Sequence, residues 1–160
     1  MILFLDFDGV VHPEPSHEKR AFTSLHLIEE VLREFESVEI VISSAWRLDY
    51  GSEMQAVDEL KFKFSVDLQP RVAGVTPTIP SFDRLDSADG LYLYQREAEC
   101  LSWLRKNRPV WTDWVALDDR AYLFKPFCLN LIVIDGKVGF SRIDQDQLRQ
   151  ILEVKLGGKK

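Results

Sequence analysis

The stretch Phe4-Leu5-Asp6-Phe7-Asp8-Gly9-Val10-Val11 decides how the rest of the chain is read. An apolar run ends in two acids separated by one residue and then turns at glycine. Side chains along a strand alternate between faces, so Asp6 and Asp8 start on the same side, at the carboxyl end where open α/β sheets bind ligands. Carboxylates so placed repel one another and are costly unless a cation, hydrogen bonds or a shared proton compensates. Asp and Gly are also ordinary turn formers, and the same letters describe a strand that simply ends in water. An EF-hand loop is excluded, because it needs a third oxygen donor before the glycine and a glutamate at its twelfth position.

A second acid pair closes Val115-Ala116-Leu117-Asp118-Asp119, again after an apolar run. Strands of one parallel sheet that each end in acids bring Asp6, Asp8, Asp118 and Asp119 to one edge. Hard oxygen ligands of this kind suit Mg²⁺, which keeps several waters and takes few protein carboxylates together with a substrate phosphate. Between the acid pairs lies Ile40-Val41-Ile42-Ser43-Ser44-Ala45-Trp46-Arg47. Here a hydroxyl from Ser43 or Ser44 can donate to a phosphoryl oxygen, and Arg47 can add a forked contact. Local capping by the serines and stacking of Arg47 on Trp46 account for the same residues without a ligand.

Outward from these motifs, short apolar runs alternate with longer amphipathic ones, the pattern of a doubly wound, Rossmann-like parallel α/β sheet wrapped by helices. Strands are predicted over residues 2–8, 38–44, 114–118 and 129–135, with a further short one over 71–75. Leu25, Ile28, Val31, Leu32 and Phe35 recur at helical spacing after Ser24. A second helix is expected from a capping box of Ser52 with Gln55 to about Lys61, and a third over 96–107, stopped by Pro109. A fourth is expected to start at Asp144 with Gln147 as reciprocal partner. Residues 68–87 carry Pro70, Pro77 and Pro80 and read as irregular connection. Residues 1–156 read as a single domain and 157–160 as a solvated tail.

The composition narrows the function. With 160 residues, 46% hydrophobic and 29% charged, the chain has a core of its own. Its net charge of −6 gives no global attraction to nucleic acid or an anionic membrane. Cys100 and Cys128 sit in no zinc or disulfide pattern and read as buried thiols of a reducing compartment. No secretory signal or membrane-spanning run is visible, which gives a cytoplasmic expectation.

In order, the DxDGV string, the strand ending in serine, a basic residue opening a helix and the strand ending in Asp118-Asp119 resemble the haloacid dehalogenase (HAD) superfamily of phosphohydrolases. Ser43-Ser44-Ala45-Trp46-Arg47, Gly74-Val75-Thr76-Pro77, Arg96-Glu97 followed by Trp103-Leu104, and Gly139-Phe140-Ser141 are similar to small HAD domains associated with nucleic-acid repair enzymes. The resemblance implies that Asp6 is the nucleophile and that Asp8 protonates the leaving oxygen and then activates water. It implies Mg²⁺ on Asp6, the main-chain carbonyl of Asp8, and Asp118, with Asp119 acting through water. Ser43 takes the phosphoryl-binding place, with Ser44 nearly its equal. Arg96 stands where the family usually has lysine, and arginine still neutralises phosphoryl charge.

Residues outside these motifs are given plainer readings. His12 is read as structural or incidental. His17 and His26 have no metal-ligand spacing, Lys106 lies too deep in its helix to reach the strand edge, and Lys125 reads as a solvated loop lysine. Trp103, Trp111 and Trp114 are expected in the core, whereas Trp46 is expected to pack a base or sugar. The segments around the site leave no room for a large cap domain. An open pocket suits a phosphorylated substrate that is large, a nucleic-acid end or a protein, over a metabolite that must be enclosed. A non-enzymatic phosphate-sensing, receiver-like domain or a scaffold that binds a partner through Leu91-Tyr92-Leu93-Tyr94 is the alternative.

Overall fold

The computed structural model describes residues 1–15, 21–79 and 94–157. Its strands are β1 (Ile2–Leu5), β2 (Glu39–Ile42), β3 (Val72–Val75), β4 (Trp114–Asp118) and β5 (Leu131–Val133). They form one five-stranded sheet in the order β3-β2-β1-β4-β5, and every pairing is parallel. The helices are α1 (Leu25–Glu34), α2 (Glu53–Leu60), α3 (Gln95–Asn107) and α4 (Arg142–Gly157). This is the α/β, HAD-like Rossmannoid architecture, and the described residues contain no large cap.

Alternation along the strands explains why helices cover both faces. Leu3, Leu5, Ile40, Ile42, Val115 and Leu117 point to one side, where they pack with Ile28, Val31 and Leu32 of α1, Ala56 and Leu60 of α2, and Leu148 and Leu152 of α4. Ile2, Phe4, Val41, Trp114 and Ala116 point to the other and meet Cys100, Trp103 and Leu104 of α3. A sheet buried on both faces needs near-continuous apolar strands, which is how these segments read. Gly74 lets β3 approach this layer, because a Cβ there would collide with the Trp103 indole.

The strands are shorter than predicted where chemistry begins: β1 stops at Leu5 and β2 at Ile42. The capping of α2 is as expected on one side, with Ser52 Oγ accepting from the Gln55 N–H at 3.2 Å, but Gln55 reaches back to the N–H of Gly51. The last helix starts two residues before the expected Asp144. There Ser141 is the partner, its N–H and hydroxyl both donating to the Asp144 carboxylate. Asp144 therefore completes the box that Gln147 was expected to complete.

Trp103 and Trp114 are in the core, but Trp111 is 77% exposed. It lies in the turn closed by the Thr112 N–H on the Pro109 carbonyl, away from both sheet faces. Cys100 is buried and Cys128 only partly so. No helix among the described residues is long and apolar enough to cross a membrane. His17, residues 80–93 with the Leu91-Tyr92-Leu93 run, and residues 158–160 lie outside the described residues.

Candidate active site

Register places the site. Leu5 of β1 pairs with Ile42 of β2 on one side and with Leu117 of β4 on the other. The next residues on these three strands are Asp6, Ser43 and Asp118. The chain runs outward from β1 in both directions, to β2 and β3 or to β4 and β5, so the topological switch point lies beside β1, where such sheets open a crevice.

Asp6, Asp118 and Asp119 meet there, each offering one carboxylate oxygen within 4.8 Å of the others. Asp6 and Asp118 are buried. At this spacing two carboxylates repel by about 3 kcal/mol at an effective dielectric constant of 20. Burial, more than any neighbour, raises the proton affinity of each. Asp118 is pushed to about 7 by burial and the Asp6 charge, with Arg96 opposing. Asp6 and Asp119 move up for the same leading reason. Asp118 Oδ2 and Asp119 Oδ1 are buried without a hydrogen-bond partner. The conformation of Gly9, with φ at +74°, brings its bare Cα against Asp119, and Gly136 does the same from β5's side; a Cβ at either would overlap the carboxylate. A hard dication fits this donor set, relieving the repulsion and supplying the partner that the orphaned oxygens lack.

Arg96, in the first turn of α3, reaches over the cluster. Its Nη1 stands 3.6 Å from Asp6 Oδ1 and 3.6 Å from Asp118 Oδ2, a charge neighbour to both without bonding either. That nitrogen is also buried without a hydrogen-bond partner, free for an incoming oxygen. Arg96 is held from behind by Glu99, 4.0 Å from its Nε.

The two serines separate. Ser43 continues the alternation of Val41 and turns its hydroxyl toward α3, 3.7 Å from Cys100 Sγ. The backbone leaves the strand after Ser43, and the Ser44 hydroxyl, which accepts from the Trp46 N–H at 3.4 Å, turns to the side of Asp6, where it favours the charged carboxylate. Ser43 and Ser44, both expected at the phosphoryl-binding place, thus turn to different sides of β2. Arg47 does not face the cluster with free donors. Its Nε donates to the Thr76 carbonyl at 2.8 Å, Nη1 to the Ser44 carbonyl at 2.7 Å, and Nη2 to Glu99 at 2.7 Å. The forked phosphoryl contact expected of Arg47 is replaced by a buried tie between β2, β3 and α3, which fixes the backbone of Ser44.

Asp8 stands apart from the cluster. Its side chain accepts from the Trp46 indole N–H at 3.1 and 3.0 Å and contacts His12 Nε2 at 3.0 Å. The metal ligand expected of Asp8 was its main-chain carbonyl, so the engaged side chain leaves that expectation untouched. His12 is completely buried and joined to Asp8, so of its two readings, structural or incidental, the structural one describes it. The Trp46 ring packs on Phe7 and Phe22. Glu99 escaped the sequence reading, and Glu97 entered it only as part of a motif string, with no role. Glu97 receives the Lys125 N–H at 2.6 Å, and Glu99 gathers Arg47, Gln95 and the Ile79 N–H. Their acidic letters on an amphipathic helix look like a solvated face, and only tertiary packing shows otherwise. His26 is exposed and Lys106 lies at the surface, 4.0 Å from Glu53.

Fold and acid cluster together define an aspartate-centred α/β domain of the HAD superfamily. The chain belongs to the family described as the HAD domain in Swiss Army Knife RNA repair proteins, whose family model matches residues 2–144. No curated protein and no solved structure matches the chain.

Proposed function

We propose that this domain is a Mg²⁺-dependent phosphomonoester hydrolase that removes a phosphate from a nucleic-acid end. The observation that carries the reading is the convergence of Asp6, Asp118 and Asp119 beneath Arg96. Membership of an RNA-repair family supports phosphorylated nucleic acid as the substrate class. With a net charge of −6, recognition must rest on local contacts at the site. The domain works as one unit over residues 1–156, in the cytoplasm.

In the proposed reaction an oxygen of Asp6 attacks phosphorus in line. The bond from phosphorus to the ester oxygen breaks, and Asp8 gives its proton to that oxygen. Water then attacks the aspartyl-phosphate, Asp8 takes its proton, and inorganic phosphate leaves with Asp6 restored. Asp6, Asp118 and Asp119 are the side chains that would hold Mg²⁺, which supplies positive charge against the phosphoryl oxygens. Arg96 Nη1 and the Ser44 hydroxyl orient the remaining phosphoryl oxygens, and burial keeps competing water from these donors.

The test is phosphate release with and without Mg²⁺ from an aryl phosphate, nucleotides, 5′- and 3′-phosphorylated oligonucleotides and phosphopeptides. Oligonucleotide ends are expected to be the best substrates. Asp6→Asn should abolish turnover of every substrate while leaving the fold intact. Retained turnover in that variant places the nucleophile elsewhere, and a preference for phosphopeptides overturns the substrate class.

A further inference from the structure

His12 is an imidazole with no exposure at all, walled by aromatic rings. Its ring centroid lies 5.6 Å from that of Phe22 and 6.1 Å from that of Trp46. A polar ring enclosed in this way needs both nitrogens satisfied. The Phe22 N–H points at Nδ1, 3.3 Å away, and a nitrogen that accepts from a backbone amide carries no hydrogen. The ring hydrogen is then on Nε2, which donates to Asp8 Oδ1 at 3.0 Å. Phe22 presents its amide from a left-handed conformation, φ +61°, which a bulky side chain rarely adopts. Such strain persists where the surrounding packing over-determines it. Here Phe7 and Trp46 pack edge-on against the Phe22 ring, at 5.3 and 5.4 Å.

From the other side, the indole N–H of Trp46 straddles both oxygens of Asp8. Oδ1 therefore faces two donors and Oδ2 only the shared one. The Asp8 side chain is 33% exposed, so the carboxyl is held by two donors without being sealed from solvent.

We propose that His12 and Trp46 are positioning residues for proton transfer. They lock the Asp8 rotamer and occupy Oδ1, so that Oδ2 is the oxygen that hands the proton to the leaving group and later takes one from water. The backbone amide of Phe22 is the outer link, fixing the His12 tautomer. This inference rests on Asp8 being the acid and base of the proposed reaction. Neither residue touches substrate in this arrangement, and both act through Asp8. The expectation that Trp46 stacks a base is then unnecessary to explain its place beside the first motif.

The test uses the whole chain with Mg²⁺ and compares the burst of alcohol release from 4-nitrophenyl phosphate with that from phenyl phosphate. Nitrophenolate leaves with little help, whereas phenolate needs the proton. His12→Leu is expected to slow phenol release by about 10- to 100-fold, the range for misplacing a general acid, and nitrophenol release far less, with KM nearly unchanged. His12→Gln, whose amide can place a donor near the Nε2 position, is expected to restore most of the rate. Trp46→Phe should show the same substrate order, and it keeps the test sound if His12→Leu does not fold. Equal losses on both esters, or no loss in either folded variant, would overturn the inference. Asp8→Asn is the separate control: full activity there removes the functional reading itself, whereas a dead Asp8→Asn beside unaffected His12 and Trp46 variants removes only the clamp.

Discussion

Glu99 and Asp118 are equally buried, each 1% exposed, yet their surroundings are opposite. Glu99 is surrounded by donors: the Arg47 guanidinium at 2.7 Å, the Gln95 amide at 2.9 Å and the Ile79 N–H at 3.3 Å. Asp118 has the Arg120 N–H on Oδ1, nothing bonded to Oδ2, and two further acids within reach. A buried carboxylate is tolerated when its lone pairs are filled from within the fold. One left short of donors, among its own kind, is tolerated only if something from outside completes it. The first arrangement builds structure and the second leaves a place for a ligand. The first motif contains both cases within three residues, since Asp6 joins the under-supplied cluster and Asp8 is held by Trp46 and His12.

The strongest way to break this contrast is Asp118→Asn. Loss of one cluster carboxylate should reduce Mg²⁺-dependent turnover by about 10³-fold or more, since a bound metal stabilises the transition state by several kcal/mol. The same change removes a repulsion, so the thermal midpoint in chelator should rise by about 2–4 °C for each kcal/mol relieved. Mg²⁺ should raise the midpoint of the parent protein and not that of the variant. A variant that is destabilised in chelator would put Asp118 among the structural carboxylates with Glu99.

Glu99→Gln is the mirror experiment. It leaves Arg47 and Arg96 buried without their shared anion, a loss of about 3 kcal/mol, which lowers the midpoint by about 10 °C in a domain of this size. Because Glu99 is not part of the cluster, the shift produced by Mg²⁺ should survive. Calorimetry with and without the ion reads both effects, and a lost Mg²⁺ response would mean that the two acid sets are one system.

The sheet was legible because its strands are buried on both faces and read as uninterrupted apolar runs, and because the acids stop those runs at one end. The positions of Asp6 and Asp118 follow from that alone, whereas Arg96, on a helix, came only from the family resemblance. What the letters withhold is the direction of side chains once the backbone leaves the strand. Ser43 and Ser44 are identical in sequence terms, and only the turn after Ile42 sends one toward Cys100 and the other toward Asp6. Arg47 was misread for a related reason: a cation beside a phosphate motif suggests an anion from outside, but Glu99 arrives from a helix 52 residues away. That His12 bonds Asp8 is likewise hidden, because the turn at Gly9 that brings the two together leaves no period in the letters. Contacts between elements distant in sequence decide each of these, and no local period records them.

Arg96 provides the finest test. It stands 3.6 Å from two acids and without a formed bond to either, so its contribution there is charge and not a fork. If that is its role, Arg96→Lys should cost activity only modestly, about threefold to tenfold, because a compact ammonium on a shorter stem still lies over Asp6 and Asp118. Arg96→Met should cost about 100-fold, as the charge that favours an anionic substrate above an acidic cluster is gone. The discriminating number is the ratio of the two variants in kcat/KM. Near-equal losses would mean that the planar guanidinium makes a bidentate contact in the reacting complex. Arg96 would then belong with Arg47 among residues whose hydrogen-bond geometry, more than their charge, holds this end of the sheet together.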